Sequence, residues 1–62
     1  MSNPPLVEPR TLLFEPDTSM RRVWEGALRA HGHTVMGTGQ SDAALILVES
    51  FRPDVILWSG DL

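Results

Sequence analysis

Three short apolar runs, Thr11-Leu12-Leu13-Phe14, Thr34-Val35-Met36 and Val55-Ile56-Leu57-Trp58, alternate with two segments of helical period. No other feature constrains the fold as strongly. Apolar runs of this length between turn signals suit strands covered on both faces. Strands separated by helices are too far apart for hairpins, so the sheet they build is parallel.

The helical segments show a 3.6-residue period. Met20, Val23, Trp24, Ala27, Leu28 and His31 share one face of the first, which predicts a core stripe. Arg21, Arg22, Glu25 and Arg29 fall off that face and are expected in solvent. The turn cluster Glu15-Pro16-Asp17-Thr18-Ser19 precedes it, with Asp17 as the expected N-cap, and Gly32 suits a left-handed stop. In the second helix Ser41 is the expected cap and Asp42 favours the dipole. Ala44, Leu47, Val48 and Phe51 form its inner stripe, and Pro53 ends it. Gly37-Thr38-Gly39-Gln40 is read as a loop.

The expected order is β-α-β-α-β, an α/β fold. With the second crossover passing over the first strand, the three-stranded parallel sheet has order 2-1-3 and one helix on each face. Residues 1–9 hold three of the five prolines and are read as a flexible tail, residues 10–62 as the domain.

Composition excludes several classes. A formal charge of −3 leaves no basic footprint for nucleic acid. The longest apolar stretch is far short of a membrane span, and no basic segment followed by an apolar one opens the chain. Without cysteine there is neither a disulfide framework nor a thiolate metal site, which is compatible with a cytoplasmic location. At 62 residues the chain buries only about 60% of its unfolded surface, so its stability is marginal.

Chemical motifs are sparse. Gly37-Thr38-Gly39 lacks a third glycine and follows the second strand, which reads as connection and not as a phosphate loop. His31 and His33 are split by Gly32 and have no third ligand beside them. Ser59 has no histidine base at the strand ends, so catalysis is not expected.

The chain resembles the amino-terminal half of a receiver domain from bacterial response regulators. The resemblance is carried by Leu12-Leu13-Phe14-Glu15-Pro16-Asp17 with Met20-Arg21-Arg22, and by Leu28-Arg29-Ala30-His31-Gly32-His33-Thr34-Val35. Ala44-Leu45-Ile46-Leu47 and Arg52-Pro53-Asp54-Val55-Ile56-Leu57 complete it. It implies a partial flavodoxin-like fold in which an aspartate ending the third strand accepts a phosphoryl group. A neighbouring acidic pair holds Mg²⁺ there. Counting from Pro53 puts the acceptor position at Ser59, whose hydroxyl cannot replace a carboxylate. The acidic pair falls on Glu15 and Pro16, with Asp17 one place later. The resemblance therefore implies a truncated pseudo-receiver that binds without phosphorylation, has no cofactor, and meets a histidine kinase or an output domain. A second reading makes Asp61 the acceptor, with Glu15, Asp17 and Mg²⁺. A third is a cobalamin-binding fragment, since that fold opens alike and often ends its third strand in serine. Its Asp-x-His-x-x-Gly marker is missing between Glu15 and Arg22.

A 2-1-3 order makes Val55, Ile56, Leu57 and Trp58 an edge strand, although their composition is that of a central one. Ile46 points away from the inner stripe of its helix. Both features predict a protein partner or self-association through the third-strand edge.

Overall fold

The computed structural model describes residues 8–60. Its elements are β1 (Arg10–Phe14), α1 (Thr18–Ala30), β2 (Thr34–Thr38), α2 (Ser41–Ser50) and β3 (Val55–Trp58). The strands form one parallel sheet of order β2-β1-β3, the expected α/β, partial flavodoxin-like pattern. The register runs from Arg10↔Thr34 to Phe14↔Thr38 on one side and from Thr11↔Val55 to Phe14↔Trp58 on the other. Right-handed crossovers in this order place one helix on each face.

β1 is central and carries most of the core. Leu12, Leu13 and Phe14 are buried, joined by Val35, Ala44 and Phe51. Thr11 is buried too, and its hydroxyl lies 2.8 Å from His33 Nδ1, which satisfies it. Residues 1–7 of the expected tail lie outside the described residues. Pro9 extends the sheet, because its carbonyl accepts the Thr34 N–H at 2.9 Å.

The helix ends follow local chemistry. Asp17 Oδ1 accepts the Met20 N–H at 2.9 Å and caps α1. At the other end Gly32 has φ +87°, with His33 N–H donating to Leu28 O and Gly32 N–H to Arg29 O. This is a Schellman stop. In α2 the expected cap is displaced. Gln40 is the N-cap, it makes no side-chain capping bond, and Ser41 is already helical. The helix starts one residue earlier than expected because Gln40 O already accepts the Ala44 N–H at 3.0 Å, and the Thr38 hydroxyl takes the Gln40 N–H at 3.2 Å ahead of it. Gly37 and Thr38, expected in a loop, lengthen β2 because Leu13 and Phe14 pair with them.

Arg10 fastens the end of α2 to β1. Its guanidinium donates to Phe51 O and lies 4.5 Å from the centre of the Phe51 ring. Asp54 completes the clamp, with its carboxylate accepting the Arg10 N–H at 2.9 Å and its own N–H donating to Arg10 O at 2.7 Å. The Pro53-Asp54 turn thereby sets where β3 starts.

One expectation fails clearly. The apolar stripe of α1 is not core: Met20 is exposed, Val23 is 64% exposed and Trp24 45%. The polar residues Arg21 and Glu25 are half-buried instead. Arg21 donates to Glu15 O at 2.8 Å, and Arg29, although exposed, donates to Val35 O at 3.2 Å. α1 packs on β1 and β2, and among the described residues no element covers its apolar stripe.

Candidate functional site

The polar ends of β1 and β3 lie side by side. Ser59 N–H donates to Phe14 O at 2.9 Å, and Glu15 N–H donates to Thr38 O at 2.9 Å, so both residues prolong the ladders beyond the assigned strands. The shared register brings their side chains together: Ser59 Oγ donates to Glu15 Oε1 at 3.1 Å. Glu15 is only 8% exposed, and its second oxygen accepts the Asp17 N–H at 3.3 Å. Below this pair Trp58 stacks on Phe14, with ring centroids 4.1 Å apart.

The positions singled out in the sequence have different fates. Ser59 and Glu15 are in contact. Pro16 lines the neighbouring loop and has no ligand atom to offer. Asp17 is close in the chain, but one carboxylate oxygen is engaged by the start of α1. Asp61 lies outside the described residues. Among the described residues no group of three or more His, Cys, Asp or Glu is placed to hold a metal ion. Of the described carboxylates here, Glu15 holds the Ser59 hydroxyl and Asp17 caps α1. His31 Nδ1 lies 2.9 Å from Ala27 O at the end of α1, and His33 is engaged with Thr11 on β1, so the two rings have separate partners.

Two hollows flank the pair. The polar one, about 400 Å³, lies between the β1–α1 and β2–α2 loops and is lined by Thr18, Arg21, Thr38 and Gln40 among others. A Cβ on Gly39 would sit 3.3 Å from Glu15 O and 3.4 Å from Pro16 O, so glycine lets these loops close on each other. Gly37 likewise leaves room for the Glu25 side chain. Close packing accounts for both glycines. The apolar hollow, about 200 Å³, is lined by Leu13, Trp24, Leu57, Trp58 and Ser59. Trp24, expected in the core, lines this groove instead, and among the described residues no further strand lies beside β3 to close it.

β3 is the barest element. Neither helix packs on it, and it pairs with β1 alone. Ile56 is 49% exposed, Val55 and Trp58 are exposed, and Leu57 is half-buried. Ile46 on α2 is 68% exposed, as its position off the inner stripe predicts. No helix among the described residues is long and apolar enough to cross a membrane.

Comparison with protein-family models, with curated proteins and with solved structures found no match to this chain.

Proposed function

We propose that this chain is a receiver-like interaction module of a two-component-type response regulator, working in the cytoplasm without phosphorylation. One observation carries the reading: the residue at the acceptor position is a serine whose hydroxyl is bound to the neighbouring acidic residue, Ser59 to Glu15. A receiver active site needs free carboxylates there to hold a cation against an incoming phosphate. Here the place of the acceptor carboxylate is taken by a hydrogen-bond donor, and Asp17 is committed to capping α1. The module then acts by presenting a surface, and the uncovered β3 is the surface most exposed to a partner.

The test is incubation of the chain with acetyl phosphate, or with beryllofluoride, in the presence of Mg²⁺. The expected outcome is an unchanged mass and an unchanged spectrum. A Mg²⁺-dependent mass increase that disappears in Asp61→Ala overturns the proposal and makes the chain a phosphoacceptor.

A further inference from the structure

The polar hollow at the carboxyl ends of β1 and β2 takes no part in the contact between Ser59 and Glu15. Its walls lie between Pro16 and Gln40, in the β1–α1 and β2–α2 connections and the first turn of α1, so it is complete without β3. At about 400 Å³ it has the size of a small-molecule site. Such sites are mostly apolar, whereas this one offers the Thr18 and Thr38 hydroxyls, the Gln40 amide and the Arg21 guanidinium. An apolar ligand would strip water from these groups and return no hydrogen bonds.

Arg21 gives the hollow its charge. α1 turns this side chain inward, where it is half-buried, while its neighbour Arg22 is exposed. Arg21 Nη1 donates to Glu15 O at 2.8 Å, which fixes the guanidinium against the β1–α1 connection. Gly39 completes the seat, since a Cβ there would run into Nη1. The bond to Glu15 O engages one edge of the guanidinium and leaves further N–H donors, in a planar fork that matches an oxyanion. Glu25, one helical turn on, is spaced to neutralise Arg21, yet its carboxylate lies against Gly37. Arg21 is therefore a partly desolvated cation whose bonded partner is a neutral carbonyl, and it keeps its attraction for an anion.

We propose that this hollow binds a small hydroxylated molecule carrying a single oxyanion group, a sugar phosphate or a sugar acid. The oxyanion meets the Arg21 guanidinium, and hydroxyls of the ligand meet Thr18 and Gln40. Gln40 is available because, as the N-cap of α2, it makes no side-chain capping bond. Asp17 and Asp42 stand at the starts of the two helices, outside the walls, and their charge disfavours a ligand with several phosphates. One charge-assisted contact carries the binding, so the dissociation constant is roughly 0.1–5 mM.

Nuclear magnetic resonance of the isotope-labelled, full 62-residue chain, titrated at constant ionic strength, tests this. Glucose-6-phosphate and gluconate present the two oxyanions on similar hydroxylated bodies. With at least one of them the expected result is a saturable shift centred on Gly39, Gln40 and the Arg21 side chain; neutral glucose should give none. Arg21→Gln should weaken binding by about tenfold or more. Arg22→Gln makes the same charge change outside the hollow and should leave the affinity unchanged. If Arg21→Gln unfolds, Gln40→Glu decides: Gln40 is exposed, so the fold is retained, and a carboxylate at the rim should abolish binding. The absence of a saturable shift below about 50 mM with either ligand overturns the inference. So does equal weakening by Arg21→Gln and Arg22→Gln, or undiminished binding in Gln40→Glu. Inorganic phosphate bound as tightly as glucose-6-phosphate would overturn it too, by showing that the ligand's hydroxyls contribute nothing.

Discussion

Replacing Ser59 by aspartate supplies the carboxylate that the proposed receiver-like reading lacks at this position and sets it against Glu15. In the native chain Ser59 Oγ donates to Glu15 Oε1 at 3.1 Å, and Glu15 is 8% exposed. Ser59→Asp removes that donor, and a hydrogen bond to a charged group contributes about 1.5–3 kcal/mol. It also brings two carboxylates within roughly 4 Å. Their repulsion at an effective dielectric of 20 is about 4 kcal/mol, reduced by the half-exposed position of Ser59 to about 1–2 kcal/mol. The combined loss is about 2.5–5 kcal/mol. A domain of this size has roughly 3–9 kcal/mol in all, so the variant should be close to unfolded. Urea unfolding followed by far-ultraviolet circular dichroism measures the loss. Ser59→Ala isolates the hydrogen bond, and Glu15→Gln in the Ser59→Asp background isolates the repulsion as a double-mutant cycle. Mg²⁺ at constant ionic strength should recover part of the loss in Ser59→Asp and none in Ser59→Ala. Equal stability of Ser59→Asp and Ser59→Ala without Mg²⁺ would refute the placement of these two residues in contact.

Other perturbations follow from the packing. Arg10→Ala removes the bonds to Phe51 O and the contact with its ring, and should cost about 1–3 kcal/mol by urea titration. Asp17→Ala should lose about 1 kcal/mol through the α1 cap, while Asp17→Asn retains most of it. Arg52 has φ +53°, a conformation glycine adopts more readily, so Arg52→Gly should raise the thermal midpoint with a gain of about 0.5–1 kcal/mol. Trp24→Ala should cost only about 1 kcal/mol, against the 3–5 kcal/mol of a fully buried aromatic; a loss in the larger range would return the α1 stripe to the core.

The order of elements, the parallel sheet and the Asp17 and Gly32 ends of α1 were legible in the sequence because each depends on local chemistry. Leu12, Leu13 and Phe14 read as buried for the same reason. The rotation of α1 was not legible. Periodicity tells which residues share a face, but where that face turns is decided by how many strands lie beneath it. Met20, Val23 and Trp24 have a helix's apolar spacing, and among the described residues no strand lies where it would cover them. Gly37 and Gly39 likewise look like loop glycines until Glu25 and the Glu15 carbonyl are seen beside them. Glu15 and Ser59 were singled out separately, one as a surviving acid and one as a lost acceptor. Their contact follows from the Phe14↔Trp58 register carried one residue further, a signal available once strand order is known. The Ser41 cap misses by one residue: Gln40 O already accepts the Ala44 N–H, a boundary that residue type alone does not fix.

The central place of β1 also governs how the chain reaches its native state. Every strand pairing involves β1, and its partners begin only at Thr34 and Val55. No hairpin is available to start the sheet, so two helical crossovers must close before the first strand gains both neighbours. Loop closure of this kind slows folding. During synthesis Leu12, Leu13 and Phe14 emerge first and wait longest, open to solvent until Trp58 can stack on Phe14. Folding speed should therefore respond most to changes at this stack, where the earliest and latest parts of the sheet meet.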